Sequence, residues 1–222
     1  MSRYSPSQKH RNKKVIIFDF DGVLADSFNT FYSLIRASFK HIGFTLTPGQ
    51  YRSFFIGNIH QEFKDFINDK NKYLTFSEFR KKNYDKYYFD KNDGVGLFPG
   101  AAGFIKNLDT GNILTIASSG KKNNIRKLLR KNGLKNYFNL ILADSTYSKK
   151  NMIEEILNKF NALPQKTILV TDTVGDINVA KKIGLKTIAV TWGFHSAKLL
   201  KSAKPDCLAN SFNILYKQLK AF

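Results

Sequence analysis

A single cysteine, Cys207, stands in 222 residues, and without a second thiol an internal disulfide is excluded. Cys207 lies in a stretch that reads as a strand, so it is expected to be a small buried apolar residue, and a cytoplasmic location is the default expectation. No apolar run approaches the roughly 18 residues that a membrane-spanning helix needs, so no membrane partner is expected. Acidic residues are also scarce: 17 Asp and Glu stand against 36 Lys and Arg, for a formal charge of +19. The excess lies at the start and in the second half, with +5 in residues 1–14 and +13 in residues 101–222. Such a field attracts anions, either phosphorylated metabolites or nucleic acid. The abundance of Lys, Asn, Phe, Tyr and Ile beside little Arg is also the composition that an AT-rich genome produces. No nucleic-acid-binding motif accompanies the charge, so nucleic acid is not the expected partner; a nucleic-acid-associated protein using its basic surface stands as the alternative of another class.

What is present is organised around residues 15–27. Four apolar residues, 15–18, read as a short strand buried on both faces, and they end in two carboxylates, Asp19 and Asp21, separated by one residue. In an open parallel sheet, ligands bind beyond the carboxyl ends of the strands. Two carboxylates so close repel unless a cation or a shared proton relieves them. With oxygen ligands and no Cys or His nearby, Mg²⁺ is the natural ion, and Gly22 lets the chain turn with positive φ. An acidic turn after a strand is the plain alternative for this motif taken alone.

Residues 1–14 carry no acid and almost no apolar side chain, and are expected to form a disordered basic tail; they lack the apolar face of a transit peptide. From residue 26 to 97 the texture is helical. Phe31, Leu34, Ile35, Phe39 and Ile42 are spaced for one face, residues 54–67 suggest a second helix, and Phe79 to Tyr88 a third or fourth. No strand pattern interrupts this segment, so an all-helical insertion is expected. Beyond Phe98-Pro-Gly100, candidate strands at 113–117, 138–142, 167–170, 186–190 and 207–209 alternate with helical sequence, a βα pattern that argues a parallel sheet covered on both faces. The expected division is a core of 15–25 and 98–222 with 26–97 inserted.

Three later strand ends add polar groups. Ser118-Ser119-Gly120 can bind phosphate oxygens through a hydroxyl and backbone N–H groups, Lys149 or Lys150 can neutralise an oxyanion, and Asp172 with Asp176 can complete a magnesium site with Asp19. Each alone has a plain explanation: a turn serine, an exposed lysine, an N-capping aspartate. Together and in this order they resemble the haloacid dehalogenase (HAD) superfamily, with Asp19-Phe-Asp21-Gly22 as its first motif, Ser118 its second, Lys149 its third, and Asp172 with Asp176 its fourth. Phe98-Pro-Gly100 and Ala189-Val-Thr-Trp-Gly-Phe194 are similar to phosphoglycolate-phosphatase-like members with a helical cap.

The resemblance implies an α/β fold, a Rossmann-like doubly wound parallel sheet with an inserted small helical cap. It also implies a Mg²⁺-dependent phosphomonoester hydrolase acting on a small phosphorylated metabolite. In that mechanism Asp19 is the nucleophile that becomes an aspartyl-phosphate and Asp21 the acid and base. Ser118, Ser119 and Lys149 bind phosphate, and Asp19, Asp21, Asp172 and Asp176 hold the metal. A β-phosphoglucomutase-like mutase shares these motifs but typically carries a histidine where this chain has Phe31. Thr171 stands where the family usually has glycine and is expected to crowd its loop. Arg52, Asn58 and His60 are candidates for substrate selection, whereas His10, His41 and His195 are assigned surface or loop roles. Oligomeric state is not readable.

Overall fold

The computed structural model describes residues 13–108 and 111–222. The tail expected over residues 1–14 lies outside the described residues as far as residue 12, and Lys14 already belongs to the first strand. The chain begins with β1 (Lys14–Phe18), then β2 (Ala25–Asp26), and passes through four helices, α1 (Phe28–His41), α2 (Pro48–Ser53), α3 (Ile59–Ile67) and α4 (Lys70–Tyr88), to β3 (Gly96–Leu97). It then alternates: α5 (Ala101–Leu108), β4 (Asn112–Ser118), α6 (Lys122–Lys131), β5 (Leu140–Ala143), α7 (Lys149–Phe160), β6 (Thr167–Thr171), α8 (Val174–Ile183), β7 (Lys186–Val190), α9 (Ala197–Ser202), β8 (Cys207–Ala209) and α10 (Phe212–Ala221).

Six strands form one parallel sheet in the order β5-β4-β1-β6-β7-β8. The strand period of two divides β1 between two cores. Ile16 and Phe18 join Leu114, Ile116, Ile168 and Val170 on the face that α5, α6 and α10 cover. Val15 and Ile17 join Ile113 and Leu169 on the face that α7 and α8 cover. Burial of each such side chain contributes about 1.5–3 kcal/mol, which is why the strands read as continuous apolar runs rather than alternating ones. The chain leaves β1 toward β4 on one side and returns to β6 on the other, so the order reverses at β1 and a crevice opens beyond its last residue.

The insertion between β2 and β3 has its own aromatic core of Phe31, Phe39, Phe54, Phe63 and Phe76, joined by Phe194 from the loop after β7. It differs from the sequence expectation in two places. Residues 54–67 do not form one helix, because the Asn58 side chain accepts from the backbone N–H groups of His60 and Gln61 and so starts α3 there, leaving 54–57 as a turn. The insertion is also not closed by helix alone: β2 and β3 pair antiparallel at its base, two residues each, too short for any periodicity to reveal.

In the core, β5 starts at Leu140 rather than 138, since the Asn139 side chain accepts from Leu114 N–H at 2.9 Å. Cys207 is half-buried rather than buried, because β8 is an edge strand.

Candidate active site

Adjacent strand ends deliver the polar residues. Just past β1, the Asp19 amide donates to the Val170 carbonyl at 2.9 Å, tying the acid to β6, and its Oδ1 accepts from Phe20 N–H at 2.8 Å. The following turn needs Gly22 at φ +77, where a Cβ would stand 2.0 Å from Oδ2 of Asp172. Only a residue without a side chain lets the first loop approach the fourth-motif aspartate so closely. Ser118 ends β4, is buried, and accepts from Gly120 N–H at 3.0 Å. Ser119 beside it is exposed to the cavity.

One cation serves two acids. Lys149 is the first residue of α7, whose N-cap Ser148 accepts from Asn151 N–H. Its ammonium lies 3.0 Å from Asp19 Oδ1 and 2.9 Å from Asp176 Oδ2 and donates to the Ala117 carbonyl at 2.8 Å. Lys150 instead faces solvent and pairs with Glu154 one turn on. Of the two lysines that sequence left open, geometry brings Lys149 to the carboxylates. Burial raises the pKa of Asp19, an effect that Lys149 opposes and Asp176 and Asp172 reinforce. Burial likewise raises Asp21 to about 6, against the lowering pull of Ser27, Lys149 and Ser118.

The loop after β6 carries the other two acids. Asp172 is fully buried; its Oδ2 accepts from Phe194 N–H at 2.7 Å, and its pKa is raised first by burial. Thr171 does not crowd this loop. Its hydroxyl donates to Asp176 Oδ2 at 3.1 Å and accepts from Thr173 N–H, so the residue orients Asp176. The strand ends and the insertion together enclose a cavity of about 1070 Å³ lined by Asp19, Asp21, Ser118, Lys149 and Asp176.

Among the described residues no three His, Cys, Asp or Glu side chains are already gathered closely enough to hold a metal, and Lys149 bridges Asp19 and Asp176. The donor chemistry nonetheless fits a hard cation. Oδ1 of Asp172 and Oδ1 of Asp21 are buried with no hydrogen-bond partner, and an orphaned carboxylate oxygen is costly unless a proton or a cation satisfies it.

Residues 16–190 match the family model described as haloacid dehalogenase-like hydrolase. The chain belongs to that family. Among curated relatives of this HAD hydrolase, a phosphoglycolate phosphatase of Synechococcus elongatus is 28% identical over 198 residues, covering 88% of this chain and 92% of the relative. The pyrophosphatase PpaX of Oceanobacillus iheyensis is 29% identical over 209 residues, with 87% and 90% covered. Among solved structures, a haloacid dehalogenase-like hydrolase from Streptococcus pneumoniae superposes with a TM-score of 0.80 at 21% identity over 93% of this chain and 98% of that one.

Other residues of the HAD hydrolase agree only in part with their sequence assignments. His195 lies in the loop after β7, one of the two roles expected of it, but not at the surface: it is 1% exposed, its Nδ1 accepts from Val174 N–H at 3.0 Å, and its Nε2 meets the Arg52 carbonyl at 2.9 Å. His41 is exposed, as expected, and stacks on Phe79. Arg52 does not line the cavity; its guanidinium donates to the Phe194 carbonyl and lies over the Phe28 ring, which docks the insertion onto the core. Asn58 and His60 do line it. Sequence reasoning missed Arg80, a cavity residue of α4, whose only signal was its place in the run Arg80-Lys81-Lys82 that reads as a solvated face.

Proposed function

We propose that this HAD-family phosphatase hydrolyses a small phosphomonoester through an aspartyl-phosphate formed on Asp19. The observation that carries the reading is the meeting of Asp19, Asp21, Ser118 and Lys149 in one cavity, with Lys149 bridging Asp19 and Asp176. In this reading the Asp19 carboxylate, oriented by Phe20 N–H, attacks phosphorus in line with the leaving oxygen. Ser118 and Lys149 donate to the equatorial oxygens, where charge must be matched as the P–O bonds reorganise. Asp21, raised to about 6, holds a proton at a useful fraction near neutral pH, gives it to the leaving oxygen and then accepts one from the water that hydrolyses the acyl phosphate. Asp19, the Asp21 backbone carbonyl, Asp172 and Asp176 are the residues that would hold Mg²⁺, which supplies electrostatic stabilisation of the phosphoryl oxygens when bound. Residues 26–97 act as the cap that covers the cavity and excludes water during attack.

The test is phosphate release from a panel of small phosphomonoesters with and without Mg²⁺, comparing wild type with Asp19→Asn. Release that requires Mg²⁺ and is lost in Asp19→Asn is expected. A folded protein that releases nothing from any member would refute the reading, and conversion of a hexose 1-phosphate to its 6-phosphate would replace hydrolysis with mutase chemistry.

A further inference from the structure

The cavity has a second charged wall, contributed by the helical insertion. Arg80 of α4 lines it beside His60 of α3, Tyr51 and Tyr84. Among the described residues Arg80 pairs with no carboxylate and stacks on no aromatic ring, and no hydrogen bond from its guanidinium is made. Burial lowers its pKa, and the groups that pull it back up are the hydroxyls of Tyr73, Tyr84 and Tyr51, none of them an acid ionised at neutral pH. Asp21, by contrast, feels Lys149 and not Arg80. Arg80 therefore lies outside the ionic network of Asp19, Lys149 and Asp176.

A second donor beside it is only partly satisfied. Nε2 of His60 is buried without a well-formed hydrogen bond; burial and then the nearby Arg80 charge lower the pKa of its imidazole, against the raising pull of the Ser145 backbone. A half-buried guanidinium without a counter-charge is disfavoured, and so is a buried ring nitrogen without a well-formed bond. Both deficits vanish if one anionic group enters between them, accepting paired N–H bonds from Arg80 and one from His60 in the tautomer protonated at Nε2. The cavity, at about 1070 Å³, is also far larger than one phosphoryl group requires.

We propose that Arg80, with His60, selects substrates that carry a second anionic group, a carboxylate or a second phosphoryl, distal to the phosphoryl group that reacts at Asp19. This specificity site rests on the phosphatase reading above. A carboxylate and a phosphoryl group present the same pair of oxygens to a guanidinium, so the experiment must separate them.

The full chain is assayed with two matched pairs: 2-phosphoglycolate against hydroxyethyl phosphate, and inorganic pyrophosphate against methyl phosphate. Wild type is expected to favour the doubly anionic member of at least one pair in kcat/KM by about 10- to 100-fold, the range of a charge-assisted hydrogen bond to a desolvated anion. The favoured pair identifies the distal group. Arg80→Met is expected to bring that ratio to within about 3-fold of unity, with partial recovery in Arg80→Lys, which keeps the charge and loses the fork. Equal ratios in wild type, or a ratio that survives Arg80→Met, would overturn the proposal while leaving phosphatase activity intact. If wild type releases phosphate from no probe, the phosphatase reading itself has failed. Calorimetric binding of the same pairs to Asp19→Asn, with and without Arg80→Met, then reads the subsite directly. A preference for the second anion that disappears with Arg80→Met supports it, and equal affinities refute it.

Discussion

Replacing Lys149 by Met isolates the energetics of the site, because the side chain keeps its length and loses only its charge. The ammonium lies within 3.0 Å of Asp19 Oδ1 and within 2.9 Å of Asp176 Oδ2, and the three side chains are only 10–14% exposed. At an effective dielectric constant of about 20, each contact is worth about 5 kcal/mol of gross attraction, most of it offset by desolvation. Removing one partner of such a buried set leaves charge uncompensated and costs about 3–5 kcal/mol. The loss is expected to be largest at pH 8 in metal-free buffer. At pH 5 it shrinks, since Asp19, whose pKa is already raised by burial, takes up a proton and the repulsion between the acids falls. Urea unfolding followed by circular dichroism reads this directly: with a slope of about 2 kcal/mol/M, the midpoint of Lys149→Met should fall by about 1.5–2.5 M at pH 8 and by much less at pH 5. The variant should also lose about 10²–10³ in kcat, the usual effect of removing one donor to a developing oxyanion. A midpoint unchanged at pH 8, or a loss equal at both pH values, would refute the reasoning.

Gly22→Ala is expected to lower stability by at least the ~1–2 kcal/mol of a left-handed backbone, and to displace Asp172, whose Oδ2 stands 2.0 Å from the new Cβ; urea midpoints and Mg²⁺ titrations check the two effects separately. Mg²⁺ at about 100 times its Kd should raise the thermal midpoint of wild type by about 5–10 °C and leave Asp172→Asn unmoved, since the orphaned Oδ1 of Asp172 is the atom expected to need the ion. Burial holds the His195 pKa below its ordinary 6.5, so the unfolded chain binds more protons and stability is full above pH 6.5 and falls below it, at up to about 1.4 kcal/mol per pH unit. His195→Gln does not titrate; its deficit against wild type at pH 7.5 should narrow by pH 5 in urea unfolding, and an unchanged gap would contradict this account.

The sheet and its strand-end residues were legible because each rests on a short local signal. An apolar run stopped by polar residues marks both a buried parallel strand and the tip where it delivers its chemistry, as at 15–21 and 167–176. The two lysines at 149 and 150 could not be told apart so simply, since which one turns inward depends on the phase of α7. Residues whose role is set by tertiary partners left no local trace. His195 is defined by Val174 and by Arg52, 143 positions away, and Arg80 by what surrounds it in the cavity rather than by its neighbours in a basic run. The two-residue strands at 25–26 and 96–97 and the turn at 54–57 fall below the length at which periodicity means anything.

Phe194 makes three kinds of contact at once. Its N–H holds Asp172, its carbonyl accepts from Arg52, and its ring packs on Phe28 and Phe55 in the aromatic core of the insertion. These contacts converge on one residue, through the peptide units on either side of its Cα and through its side chain, so a displacement of Phe194 disturbs all of them. Displacing the insertion from the core and releasing Asp172 are therefore thermodynamically linked. Whatever tightens the grip on Asp172 favours the docked arrangement, and whatever strengthens docking returns the same free energy to Asp172.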